Sequence, residues 1–364
     1  MPGSVVVLGT GLIGTSIALA MRAKDATVWL SDADESAARL AADLGAGQLL
    51  PASGVPSGPA DLAVLAVPPA AVGPALAHAQ YRGLARCYTD VASVKELPLE
   101  RARELGCDLT TFVPGHPMSG RERSGPAAAR ADLFAGRTWI ICPAPQTAPG
   151  CVATVTELAQ ACEARPAMMS AAQHDQWVAL ISHVPHMVAA AMAALCLDAP
   201  QGALGLAGPG LRDVTRIAES DPGLWAEILS ANATRVRSGL LAVIGQLQAA
   251  AGVLGGVDDG DAESVKRLLS WLEAGRDGVA RLPGKQGGPA PGYRAVQVVI
   301  ADKPGELARL FAVAGAAGVN IEDVRIEHSP GLPVGVAELS VRPQQADGLS
   351  AALAEAGWPV TSPP

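Results

Sequence analysis

At 364 residues, 49% of them apolar and only 3% aromatic, the chain is long enough for two or three domains with cores of Ala, Leu and Val. A formal charge of −8 with no Lys/Arg cluster excludes a nucleic-acid footprint, so an anionic ligand must be met by a few specific cations. Six scattered cysteines with no CxxC pair argue against a thiolate metal site or a disulfide framework, and predict reduced, buried thiols in a cytoplasmic protein.

Residues 5–21 are uncharged, but they lack a basic start and three glycines interrupt them. They predict a strand, a turn and a helix rather than a signal sequence. No other stretch reads as long enough to span a membrane. Short apolar strands follow at 27–31, 62–67, 87–91, 111–113, 138–142 and 166–169, with helices between them, as at 36–44. This alternation predicts an α/β fold with a parallel sheet over 1–171. From 172 to 285 long Ala/Leu stretches predict an all-helical domain. The Pro/Gly-rich segment 281–292 predicts a linker, placed at 286–292. A βαββα order over 293–364 then predicts a small α+β domain of one sheet and two helices.

Gly9-Thr-Gly11-Leu-Ile-Gly14 sits between the first strand and the first helix. In that context GxGxxG predicts a dinucleotide site: Gly9 for the turn, Gly11 for approach to the pyrophosphate, and Gly14 for close helix packing. Leu12 and Ile13 at the helix start belong to the same cofactor site, as do Val67 and Pro68 at the end of a later strand. Asp32, eighteen residues past Gly14, is placed for the ribose hydroxyls. With Asp34 and Glu35 beside it, a 2′-phosphate would be repelled, so NAD is favoured over NADP.

Polar groups collect where strands end: Asp90, Ser93 and Lys95 after one strand, and His116, Arg121 and Glu122 after the next. The helical part adds His174-Asp175, His183 and His186, then Arg212 and Arg216 four residues apart, a pair suited to a dicarboxylate. His183 and His186 lack a third ligand at metal spacing, so no metal is expected. Lys95 is divided between a functional charge and a surface or helix-capping one, and Asp90 between a functional carboxylate and a turn residue. His186 and Trp225 read as packing residues.

The segments at 90–95 (DVASVK), 116–125 (HPMSGRERSG), 174–186 (HDQWVALISHVPH) and 210–225 (GLRDVTRIAESDPGLW) resemble the prephenate/arogenate dehydrogenase family, and 302–324 is similar to an ACT domain. The resemblance implies a Rossmann-type dinucleotide domain, a helical dimerisation domain and an ACT-like module that takes an amino-acid effector. It implies NAD-dependent oxidative decarboxylation of prephenate in tyrosine biosynthesis by a homodimer. His116 would be the catalytic base and Ser93 would orient it or the substrate hydroxyl. Arg216 would hold the ring carboxylate, with Arg212, His183 and Glu122 toward the side-chain end, Arg121 at the substrate side chain or the cofactor, and His174 shaping the pocket. Arogenate and 4-amino-4-deoxyprephenate stay open as substrates. Outside the family, a β-hydroxyacid or imine reductase and an inactive amino-acid sensor are the alternatives.

Overall fold

The computed structural model describes residues 1–56, 58–119, 125–258, 260–282, 292–328 (His328 by its backbone alone) and 333–361. The chain divides into two compact units, Met1–Ile244 and Gly245–Pro364. The helical region expected over 172–285 is thus shared between them.

The first unit is built on eight strands: β1 Ser4–Leu8, β2 Thr27–Ser31, β3 Gln48–Leu49, β4 Ala60–Leu65, β5 Ala85–Asp90, β6 Phe112–Pro117, β7 Thr138–Ile141 and β8 Arg165–Met168. Their order is β3-β2-β1-β4-β5-β6-β7-β8. Helices α1 Leu12–Arg22, α2 Glu35–Asp43, α3 Pro69–Tyr81, α4 Glu96–Glu104 and α5 Pro149–Ala161 cover the sheet. Both faces are buried. Val5 and Val7 join one core with Ile17, Met21 and Leu158, while Val6 joins another with Val72 and Leu76. This is why the strands read as continuous apolar runs rather than alternating ones. The order reverses direction between β1 and β4, the switch point at which open α/β sheets take their ligands, at the strands' carboxyl ends.

Two expectations need correction here. β6 and β7 are antiparallel, because the described part of their connection holds only one short helical turn, Pro126–Ala128, and no crossover helix. Cys87 of β5 and Cys151 in the first turn of α5 form a disulfide, with Cα atoms 5.4 Å apart across 64 residues of sequence. No local spacing could reveal that pair, since packing α5 on β5 creates it. Cys107, Cys142, Cys162 and Cys196 are free thiols, as expected. β3, two exposed residues long, carries no apolar pattern and was not foreseen.

After β8 come α6 Ala171–Val178, a wide π-helical turn Ala179–His183 and α7 Val184–Ala194. Pro185 explains the wide turn: its ring would clash with the carbonyl four residues back and it offers no N–H, so the chain widens just ahead of it. The short helices α8 Gln201–Leu204 and α9 Pro209–Thr215, the tight turn Arg216–Glu219 and α10 Pro222–Ala231 follow. Asn232 then separates α10 from α11 Ala233–Asp258. Ala171–Leu197 and Ala233–Asp258 are 27 and 26 residues long with mean hydropathy 1.7, so by length and composition alone two stretches could cross a bilayer. The expectation of none is corrected on that count. The first stretch nevertheless holds buried His174, Asp175, His183 and His186.

The second unit contains the end of α11, α12 Ala262–Ala280, and a β9 Arg294–Ala301, α13 Glu306–Ala316, β10 Asp323–His328, β11 Val334–Val341, α14 Pro343–Glu355, β12 Val360–Thr361 succession. Its antiparallel sheet runs β10-β11-β9-β12. Val296, Val298, Leu310, Leu339, Leu353 and Trp358 fill the core under the helices. The short β12 adds a strand to the expected βαββα order. Most of the expected linker lies outside the described residues.

Candidate active site

The glycine loop between β1 and α1 is shaped by close approach. Gly9 has φ +99°, and a Cβ there would stand 2.2 Å from the Ala66 carbonyl oxygen. At Gly14 a Cβ would stand 1.9 Å from the Gly9 oxygen, so no larger residue fits under the loop. Gly11 differs: a Cβ there would meet nothing within 4 Å, leaving open space over the amides that begin α1, led by Leu12 and Ile13. Such a space over a helix N-terminus suits a pyrophosphate. Val67 packs against Gly9, and Pro68 caps α3 at the end of β4.

Asp32 at the end of β2 takes the Thr10 amide at 2.5 Å and the Thr10 hydroxyl at 3.0 Å, while its other oxygen takes the Asp34 amide at 2.9 Å. The carboxylate is thereby fixed beside the loop. Asp34 caps α2 through the Ser36 amide and hydroxyl, and that hydroxyl hydrogen bond is the main cause of its lowered pKa. These residues fit a dinucleotide with free ribose hydroxyls.

Further along the sheet, β6 carries His116 and β5 ends at Asp90. Gly115 leaves little room where the strands meet: a Cβ would stand 3.1 Å from Asp90, Thr89 and Trp139 atoms, which would have to give by a few tenths of an ångström. Lys95 is fully buried and pairs with fully buried Asp90, and its ammonium also donates to the Gly115 carbonyl oxygen at 2.5 Å. The surface or capping reading of Lys95 is thus corrected, and Asp90 is more than a turn residue: the pair ties the end of β5 to the strand bearing His116. Burial pushes the Asp90 carboxyl up, against the opposing pull of Lys95 and the Ala92 amide.

His116 Nδ1 lies 2.8 Å from His174 Nε2, and His174 Nδ1 lies 2.7 Å from Asp175 Oδ1. Asp175 also accepts the backbone N–H groups of Lys95 and Glu96 at the start of α4, at 2.8 and 2.9 Å. Burial disfavours the Asp175 charge, but the hydrogen bonds from His174 and these two amides outweigh it and hold its carboxyl below the ordinary range. Burial holds His174 below its ordinary value despite Asp175, so the contact is a neutral imidazole donating to a carboxylate. For His116, part of which stays accessible, desolvation comes first, with His174, Lys95 and His183 adding repulsion; its pKa falls well below 6.5.

His183 is buried at the end of the wide turn, 3.4 Å from the Asn232 side-chain nitrogen, and burial pushes its pKa down to about 4. Asn232 also donates to the Asp175 carbonyl oxygen at 2.7 Å. His186 stacks on Trp225 with ring centres 3.6 Å apart, consistent with packing, although its buried Nδ1 finds no partner. Arg212 and Arg216 stay one helical turn apart through an Arg216 N–H to Arg212 carbonyl bond. Both are exposed and neither guanidinium meets an acidic partner among the described residues. Ser93 is half-buried, and its hydroxyl makes no hydrogen bond to another described residue, so the nitrogen partner of His116 is His174 instead. Arg121 and Glu122 lie outside the described residues. Sequence reasoning assigned no role to Asp175 or Asn232. The HD pair was visible, but its contacts with α4, some 80 residues away, were not.

Residues 17–168 match the model of the prephenate dehydrogenase nucleotide-binding domain, and 170–272 match that of the prephenate dehydrogenase dimerization domain. A probable prephenate dehydrogenase of Streptomyces niveus, NovF, is 40% identical over 99% of both chains. The prephenate dehydrogenase of Bacillus subtilis is 30% identical over 90% of this chain and 88% of its own. Among solved structures, prephenate dehydrogenase from A. aeolicus in complex with hydroxyphenyl propionate and NAD+ superposes with a TM-score of 0.66. It is 26% identical, covering 77% of this chain and 99% of that one. The likeness thus runs through both the glycine loop and the histidine cluster, and the chain belongs to the prephenate dehydrogenase family.

Proposed function

We propose that this chain catalyses the NAD-dependent oxidative decarboxylation of prephenate to 4-hydroxyphenylpyruvate, with His116 as the base. The observation that carries the reading is a partly accessible His116 at the end of β6, on the same sheet edge as the dinucleotide loop, where burial disfavours its charged form. NAD+ would supply the hydride acceptor, held by Gly9, Gly11, Gly14, Leu12, Ile13, Val67 and Pro68, with Asp32 on the ribose.

Prephenate presents a ring hydroxyl, a ring carboxylate and a pyruvyl side chain. His116 withdraws the hydroxyl proton as the hydride leaves the same carbon, the ring carboxylate departs as CO2, and the proton returns to the phenolate oxygen. Aromatisation drives the step. A base whose pKa lies below neutrality is unprotonated when substrate arrives. Arg216, exposed and free of an acidic partner among the described residues, is suited to the ring carboxylate by bidentate pairing. Arg212 and His183 are assigned to the side-chain end, as are Arg121 and Glu122 on sequence alone, and Ser93 to the substrate hydroxyl.

The second unit has the βαββαβ order of an ACT module, supporting an amino-acid effector there. The match to a dimerization domain and the exposed apolar side chains Leu180, Ile181, Leu195, Leu197 and Leu206 support a homodimer.

The test is NADH formation by the purified protein with prephenate, arogenate and 4-amino-4-deoxyprephenate in parallel, each with NAD+ and NADP+. Prephenate with NAD+ is expected to give the highest kcat/KM. A dominant second substrate would reassign specificity, and no turnover with any would overturn the reading.

A further inference from the structure

The histidine cluster contains a direction for protons that the reaction reading alone does not use. Asp175 is fixed by two backbone N–H donors, from Lys95 and Glu96, at the N-terminus of the nine-residue helix α4. Each of its oxygens is already an acceptor, and a carboxylate beside two amides at the positive end of a helix stays ionised. Facing Asp175 Oδ1 at 2.7 Å, His174 Nδ1 must therefore be the donor. A neutral imidazole protonated on Nδ1 has a lone pair on Nε2. That lone pair looks at His116 Nδ1 across 2.8 Å. His116 must then donate from Nδ1, because the opposite tautomer would set two lone pairs against each other.

We infer that Asp175 and His174 are positioning residues that lock His116 into the tautomer carrying its proton on Nδ1, so that Nε2 is the unprotonated nitrogen. The inference rests on His116 being the base, and adds which of its nitrogens does the work and what enforces it. Free imidazole side chains favour the proton on Nε2, the form that would cap the base, so the relay opposes the intrinsic preference. When Nε2 takes the substrate proton, the new positive charge lies one hydrogen bond from His174 and two from Asp175. Burial, His174 and, after them, the Lys95 ammonium held on the Gly115 oxygen all disfavour a charge on His116. The arrangement follows the logic of an Asp–His pair that fixes the tautomer of a catalytic imidazole, with a second histidine inserted.

The experiment is two-bond 1H–15N correlation NMR on the full chain labelled at histidine nitrogen, with His116 assigned by the His116→Asn variant. His116 is expected to show a protonated Nδ1 and a bare Nε2, and His174→Phe should reverse the two. His174→Gln, whose amide can donate to Asp175 and offer its oxygen to His116, should restore the wild-type pattern in part. In turnover, His174→Phe should lose roughly 10²-fold in kcat with KM within about twofold, and His174→Gln should recover part of that loss. A wild-type His116 protonated on Nε2, or a His174→Phe enzyme with unchanged kcat, overturns the relay. The NMR readout needs no activity: a wild-type tautomer as expected with a fully active His116→Asn enzyme would leave the relay standing and remove the base assignment. If His174→Phe fails to fold, the wild-type tautomer and the Gln variant still decide the question.

Discussion

His116 and His183 differ from a surface histidine by what surrounds them. Burial disfavours the charged form of both, and neighbouring His174 adds like-charge repulsion if any of the three protonates. The sign for catalysis follows: a base is lost when protonated, so a lowered pKa extends activity toward acid. The acid limb of kcat/KM, which reports the free enzyme, is expected below pH 6.5, and a limb at or above 6.5 would contradict the burial argument. Sequence reasoning selected His116 from a strand end inside a motif. It could not select Asp175, because the two amides at the start of α4 reach it from some 80 residues away, and only the fold brings them beside the His174-Asp175 pair. For the same reason Lys95 was ambiguous: a charge five residues after a strand is usually solvated, and only the fold shows Asp90 and the Gly115 oxygen closing around it.

At the scale of elements, the glycine loop and the wide turn do the positioning. Gly14 lets α1 sit directly on the loop it follows, where a methyl group would lie 1.9 Å from the Gly9 oxygen. Gly14→Ala must therefore push the helix start away from β1. The expected cost is that of overpacking, about 1–3 kcal/mol, expressed as a roughly 5- to 150-fold weaker affinity for NAD+ in titration of the folded protein. Wild-type affinity in that variant would show that the loop tolerates what the geometry forbids. The helix pattern at 174–197 was legible, but its interruption was not. Pro185 signals a break, yet whether the chain kinks, ends or widens depends on what packs against it. Here it widens and buries His183. The antiparallel β7 was missed for a similar reason, since strand direction depends on what the connection contains rather than on the strand's own residues.

At the scale of the whole molecule, composition and motif order already gave an α/β part, a helical part and a small α+β part. What they could not give was which helical segments share a compact unit, since α11 begins in one and ends in the other. Nor could they give the Cys87–Cys151 link, whose partners are joined only by the packing of α5 on the sheet. The chemistry proposed for the first unit depends on all its parts at once: the loop that holds a dinucleotide, the strand end that holds His116, and the helical cations that could hold a carboxylate. The most direct test of that account is the rate of NADH formation from prephenate and NAD+ by wild type and His116→Asn, each at saturating substrate. The account predicts that kcat falls by about 10²- to 10⁴-fold in the variant while KM changes little. A variant that keeps its kcat, or loses activity only through KM, would contradict the assignment of His116 as the base.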